Sequence, residues 1–263
     1  MKTLRKLAIL LLIVAHHLGA ACQDTAQFEK KMFIQGSDTL LYRVLYPLGF
    51  QAKKKYPLLL FLHGSGERGN DNAAQLKWGG SLFADSVNRM AYPAIVVFPQ
   101  CPQQSSWAAM THTKPTDSLG GFGFPDSLHA TVPMTLLVKL MQSFVENGAA
   151  DSRRIYVGGL SMGGFGCFEI LWRMPHFFAA AMPICGGGNP AKVVLYAKNF
   201  PIWVFHGDRD PAVPVSNSRL MVGALRTAGA RVKYSEYPGV GHDSWKNAFA
   251  EPDLLSWLFS QKR

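Results

Sequence analysis

The chain has 263 residues, 48% of them hydrophobic and 17% charged, which excludes a disordered chain and a coiled coil. Its 25 glycines and 16 prolines follow no short period, so it is neither collagen-like nor a repeat array. The 27 Lys+Arg against 17 Asp+Glu give +10, but the positive residues are scattered or in short runs such as Lys53-Lys54-Lys55; this reads as a solvated basic surface, with no nucleic-acid partner expected.

Residues 1–21 divide into a basic start (MKTLRK), an apolar run (LAILLLIVA) and a tail ending in small residues before Cys22. The run is too short to span a bilayer, and this three-part order predicts a secretory signal peptide. Two cleavage modes are open. A lipoprotein signal would leave a lipid on Cys22, although Gly19 stands where that signal prefers a large aliphatic residue. Ordinary cleavage would leave no anchor. The expected location is periplasmic or extracellular, with membrane contact only through a lipid on Cys22. Residues 22–263 contain no linker and are expected to form a single domain.

Along that domain, residues 42–46 alternate and predict an early antiparallel strand. LLLFL (58–62) and AIVVF (94–98) are continuous apolar runs of the kind buried on both faces. RIYVGG (154–159), FAAAMPI (178–184) and IWVFHG (202–207) read as further strands, and VKYSEY (232–237) as one near an edge. Helical patterns fall between them, at 134–146, 162–174, 218–227 and 251–260. Strand–helix alternation of this kind predicts an α/β fold, a mostly parallel central sheet with helices on both faces. Ligands of such sheets bind beyond the carboxyl ends of the strands. Residues 101–131 carry Trp107, Phe122 and Phe124 without periodicity. So long a loop reads either as a lid or binding loop or as a loop packed on the body.

Gly159-Leu160-Ser161-Met162-Gly163 is a GxSxG sequence between a predicted strand and a predicted helix. A sharp strand-to-helix turn lifts a serine hydroxyl clear of a sheet and needs small residues two positions either side. Ser161 is therefore the candidate nucleophile. A serine hydroxyl needs a base, and the base an orienting acid, in the chain order Ser, acid, His for this architecture. His242 in PGVGHDSW is the candidate base; His176 ends the helix after the turn and His206 precedes the acids. Asp208 and Asp210 both qualify as acid, with the rigid turn at Pro211 and Pro214 favouring Asp210. The oxyanion donors are expected at the N–H of Met162 and at the N–H of Ser65, in the loop after residues 58–62. Trp107, Gly187 and Trp245 are candidate substrate residues.

Gly64-Ser65-Gly66-Glu67-Arg68-Gly69 also matches a dinucleotide fingerprint, with Asp85 downstream. That fold needs a helix starting at the third glycine, and Glu67 would repel a pyrophosphate, so no cofactor is expected. Cys101, Cys167 and Cys185 have no metal-ligand or CxxC spacing; neither a metal nor an essential disulfide is expected.

FLHGSGERGNDN, AIVVFPQCP, GGLSMGGFG, PICGGG, HGDRDPAVP and GVGHDSW, in that order, resemble the exported bacterial α/β-hydrolases labelled predicted peptidase, phospholipase/carboxylesterase or dienelactone-hydrolase-like. The chain is also similar to family-1 carbohydrate esterases, which include acetyl-xylan and feruloyl esterases. The resemblance covers roughly residues 28–260. It implies an α/β-hydrolase fold, Ser161 as nucleophile, Asp210 as acid through HGxxDxxVP, and His242 as base. It agrees with Ser65 and Met162 as oxyanion donors. Dienelactone hydrolases proper carry a cysteine nucleophile, where this chain has Ser161. The resemblance also implies that the strands ending near Cys101 and Cys185 lie too far apart for a disulfide. The expected activity is a serine esterase acting on an ester substrate, with acetyl or feruloyl esters on plant polysaccharide as one class. The rivals are a peptidase or phospholipase with the same residues, and a non-catalytic surface binding protein on a hydrolase fold.

Overall fold

The computed structural model describes residues 25–112, 119–125 and 129–263. The predicted signal peptide, Cys22 and parts of the 101–131 loop lie outside these residues. The elements run, in order, β1 (Glu29–Gln35), β2 (Asp38–Leu45), β3 (Tyr56–Leu62), α1 (Gly80–Ala84), α2 (Ser86–Ala91), β4 (Ile95–Gln100), β5 (Thr111–His112), β6 (Phe122–Gly123), α3 (Val132–Glu146) and β7 (Ala150–Leu160). They continue with α4 (Met162–Arg173), β8 (Ala180–Ile184), β9 (Pro201–Gly207), α5 (Ser216–Thr227), β10 (Arg231–Tyr237), α6 (Trp245–Ala250) and α7 (Leu254–Ser260).

Eight strands form one sheet in the order β1-β2-β4-β3-β7-β8-β9-β10. The β1–β2 and β2–β4 pairs are antiparallel, and every pair from β4 to β10 is parallel. Alternation along β3 explains why its run is wholly apolar. Leu58, Leu60 and Leu62 enter a core cluster with Met134, Leu137 and Met141 of α3 and Phe168 and Leu171 of α4. Leu59 and Phe61 enter a second cluster with Phe83 of α1, Ala248 of α6 and Leu254 and Leu258 of α7. Every side chain of this run therefore meets a hydrophobic layer, and the run stays apolar throughout.

From β3 the chain passes to β4 on one side and returns to β7 on the other. The carboxyl ends of β3 and β7 therefore flank a topological switch, where open α/β sheets place their ligand sites. Ser161 follows β7, and Ser65 lies just past β3.

The described parts of the 101–131 loop are pinned to the body. Trp107 is fully buried, and Thr131 Oγ1 donates to Ser106 O at 2.8 Å. β5 and β6 form a short antiparallel ribbon. Phe122 and Phe124 pack on Phe165 of α4, with ring centroids 5.0 and 5.7 Å away. Asn217 of α5 donates to Leu119 O at 3.1 Å, which brings this loop over the segment after β9.

Candidate active site

Ser161 stands between β7 and α4 at φ 53, ψ −117. This is the backbone of the first central residue of a type II′ turn, a region that favours glycine, and holding serine there costs roughly 1–3 kcal/mol. Its neighbours must be small because the backbones touch. A Cβ at Gly159 would stand 2.5 Å from Gly163 O, and one at Gly163 would overlap the Leu62 carbonyl oxygen. The turn is held on both sides: Ser161 N–H donates to Ile184 O at 2.9 Å, and Phe165 N–H donates to Ser161 O at 3.1 Å.

The structure brings Ser161, His242 and Asp210 together from three loops. Ser161 Oγ lies 2.9 Å from His242 Nε2, and His242 Nδ1 lies 2.7 Å from Asp210 Oδ2. A carboxylate can only accept, so Nδ1 carries the ring proton and leaves Nε2 free to accept from the serine hydroxyl. Asp210 Oδ1 accepts from the N–H groups of Ala212 and Val213 at 2.8 and 2.9 Å. Burial by itself would raise the Asp210 pKa. The hydrogen bonds from His206, His242 and Val213 outweigh it and hold the carboxyl far below the usual range. Asp208, the other candidate acid, accepts instead from Gly239 N–H at 2.6 Å, tying the acid loop to the loop that carries His242.

The loop after β3 abuts the serine turn: a Cβ at Gly64 would stand 3.0 Å from Leu160 Cδ1. Ser65 opens a short 3-10 turn there and Met162 opens α4, so neither N–H has a partner within its own helix. Buried groups brace this loop. Cys101 N–H donates to His63 Nε2 at 3.0 Å, and His63 Nδ1 donates to Gly64 O at 2.6 Å. Trp107 Nε1 donates to His63 O at 3.1 Å. Trp107, expected as a substrate residue, is therefore a fully buried prop behind the loop and offers no face to a ligand. Asp85 caps α2 by accepting from Asn88 N–H at 3.0 Å. The short turn at Ser65–Glu67 also replaces the helix a dinucleotide fold would require there.

His63 has a consequence for stability. Burial lowers its pKa from 6.5 to about 4. The unfolded chain takes up this proton as pH falls through 6.5, while the folded ring stays neutral until about 4. Stability from this group is thus complete above 6.5 and declines between 6.5 and 4, by about 1.4 kcal/mol per pH unit. Urea unfolding from pH 7 to 4.5 should show a shallower decline in His63→Asn, which cannot titrate there.

Gly187 is buried and close-packed: a Cβ there would meet Asn217 Cβ at 3.0 Å and Phe165 Cε1 at 3.1 Å. Trp245 sits beside the imidazole, edge to face with His242 at 5.4 Å. Trp78 extends that aromatic wall, with its ring 5.5 Å from Trp245. Sequence reading missed Trp78, because nothing in Lys77-Trp78-Gly79 announces that the loop before α1 reaches the segment after β10. Cys185 Sγ, an Asp210 oxygen and a His242 nitrogen all lie within 4.8 Å of one another. A cation there would displace the hydrogen bond between His242 and Asp210, and burial pushes the Cys185 thiol well above its ordinary range. Cys101, Cys167 and Cys185 are all buried free thiols, and β4 and β8 stand three places apart in the sheet, as the resemblance implies.

This sheet, with its serine turn after β7 and the acid and histidine loops after β9 and β10, defines an α/β-hydrolase fold. Residues 50–252 match the phospholipase/carboxylesterase family, and the chain belongs to it. It is similar to a solved thermostable esterase at 36% identity and TM-score 0.81, over 92% of this chain and 64% of that one. Acyl-protein thioesterase 1 of Gibberella zeae is 24% identical over 75% of this chain and 88% of its own length. A probable dipeptidyl-peptidase 5 of Aspergillus terreus is 22% identical over 91% of this chain, which spans only 36% of that protein.

Proposed function

We propose that the protein is a serine carboxylesterase working through an acyl-enzyme. One observation carries this reading: Ser161, on a strained turn, hydrogen-bonds a histidine whose other nitrogen is held by a buried carboxylate. Ser161 Oγ attacks the ester carbonyl while His242 Nε2 takes its proton. Asp210 keeps the imidazole in the right tautomer and offsets its positive charge. The N–H groups of Met162 and Ser65 receive the oxyanion. His242 then protonates the leaving alcohol, and a water activated by the same ring hydrolyses the acyl-enzyme.

Acetyl or feruloyl esters of plant polysaccharide are the substrate class we favour. The motif resemblance supports it, as does the half-buried Trp78, an aromatic side chain next to the buried Trp245 that packs edge to face on His242. The leader-like residues 1–21 support export, with a lipid on Cys22 as the one route to a membrane. No helix among the described residues is long and apolar enough to cross a membrane. The deciding experiment is a panel of methyl ferulate, acetylated xylan, short p-nitrophenyl esters, peptide anilides and phospholipids. Turnover of the esters well above that of the anilides and phospholipids is expected; the reverse would replace esterase by peptidase or phospholipase. No turnover, with no covalent labelling by a fluorophosphonate, would favour a binding protein.

The oxyanion assignment has its own test. Gly64 is extended at φ −78, ψ 177, the conformation favoured before proline, and Ser65 is the first residue of its helical turn. Ser65→Pro therefore removes one N–H with little change of path and should lower kcat roughly 100- to 1000-fold. Ser65→Ala keeps the N–H and should leave kcat essentially unchanged.

A further inference from the structure

A second buried histidine stands behind the carboxylate, and it has no part in the reaction as derived above. His206, in β9, is fully buried. Its Nε2 lies 2.9 Å from Val213 O and 3.2 Å from Asp210 Oδ2. Both are acceptors, so Nε2 carries a proton, which it donates to Val213 O while keeping Asp210 Oδ2 in close polar contact. Its Nδ1 lies 2.7 Å from Ser218 Oγ, itself 3.1 Å from Gly186 O. This hydroxyl serves either state of the ring. With Nδ1 bare, the Ser218 proton goes to the nitrogen. With Nδ1 protonated, the ring donates to Ser218 and the hydroxyl donates to Gly186 O.

The charges nearby single out Asp210 as its target. Glu236 stands opposite His206 in the β9–β10 register, but its carboxylate is engaged by Arg219 Nε at 2.9 Å and by the Tyr234 hydroxyl at 2.6 Å. Asp210 Oδ1 is filled by two backbone donors, and Oδ2 faces two imidazoles, His242 on the serine side and His206 on the core side. A carboxylate held only by its Oδ1 contacts could swing Oδ2 away from His242.

We infer that His206 is a positioning residue for Asp210: anchored by Ser218 and Val213, it fixes Oδ2 where His242 Nδ1 can donate to it. The inference rests on the esterase reading above, because it assigns His206 a role only through the Asp210–His242 pair. Removing the ring should lower kcat with KM little changed, since it touches no substrate. The loss should be roughly 10- to 100-fold, the scale of one hydrogen bond to a charged group. His206→Gln, whose amide N–H can reach toward the same acceptors, should recover most of it.

The test is a double-mutant cycle on p-nitrophenyl acetate, with folding checked by urea denaturation. His206→Ala and Ser218→Ala are each measured in the wild-type and the Asp210→Ala backgrounds. Each should lower kcat when Asp210 is present, Ser218→Ala by the smaller factor, and neither should lower it appreciably further once Asp210 is gone. Equal losses in both backgrounds would overturn the inference, as would wild-type kcat in folded His206→Ala. Should His206→Ala not fold, Ser218→Ala carries the same decision, and its failure to lower kcat in the wild-type background overturns the inference. Ser161→Ala separates the two levels. If it retains turnover, the esterase reading fails; if it is inactive while the His206 and Ser218 variants match wild type, only this inference fails.

Discussion

Ser161→Ala is expected to lower kcat/KM for p-nitrophenyl acetate by about 10⁴-fold or more, because it removes the hydroxyl that forms the acyl-enzyme. The fold should not notice. Alanine keeps a Cβ in the same backbone conformation, so the strain at φ 53 persists and urea unfolding should match wild type. Ser161→Gly should be equally inactive yet more stable. Glycine enters this region freely, and relief of strain should exceed its extra unfolded-state entropy by about 1 kcal/mol. An inactive variant more stable than its parent would show that the site holds its nucleophile at the expense of the fold. Equal stability of the alanine and glycine variants would mean that the turn carries no strain.

Asp210→Asn is the second large effect, with an expected loss of about 10³- to 10⁴-fold in kcat. The orientation of the new amide is dictated by its surroundings. Two N–H groups, of Ala212 and Val213, point at Oδ1 and bond it at 2.8 and 2.9 Å, while the His206 Nε2 proton is already taken by Val213 O, so the amide oxygen stays at Oδ1. The NH₂ group then occupies the Oδ2 position and faces His242 Nδ1. Two donors cannot meet, so Nδ1 gives up its proton and Nε2 acquires one. The ring then presents a donor to Ser161 where a base is needed. Asp210→Ala removes the orienting group without imposing the wrong tautomer, so it should be less damaging than asparagine if water can reach the vacated position. Asparagine and aspartate with equal kcat would refute the tautomer argument.

The sheet was legible because its strands obey simple rules. β3, β4 and β9 lie between two hydrophobic layers, so LLLFL, IVVF and IWVF are unbroken apolar runs, and the buried polar residues Gln100 and His206 come only at the carboxyl ends of β4 and β9. β10 alternates and lies at the edge, as its pattern predicts. The β1 strand escaped notice because it is an exposed edge, with Met32 and Ile34 facing outward and no buried face to set a period. Its signal was local: Gln35 pairs with Asp38 across Gly36-Ser37, a two-residue turn with glycine first at φ 58. Helix α1 has no sequence signature because a Gly-Gly pair opens it, with Gly79 at φ 86 directly before the helix. The expected final helix at 251–260 begins only at Leu254, beyond Pro252, as α7.

At the site, the serine turn and the histidine loop were readable because each is a local device of glycines around one reactive side chain. The choice between Asp208 and Asp210 was not fully local. It depends on where the turn at 210–213 aims its N–H groups and on which carboxylate the loop after β10 reaches. Trp107 misled for a related reason: an aromatic in an irregular loop suggests a ligand wall, yet its indole N–H reaches His63 O in the interior. His206 opens the HGxxDxxVP pattern, but that pattern pointed to Asp210 and gave the histidine no role, since a histidine ending an apolar strand is equally a core residue.

The most direct measurement is the site of covalent attack. The protein would be treated with a fluorophosphonate, digested, and its adduct located by mass spectrometry. A single adduct on Ser161, formed at a rate that collapses in His242→Ala, is the predicted result. An adduct on another residue, or labelling of Ser161 that is indifferent to His242, would contradict the proposed relay.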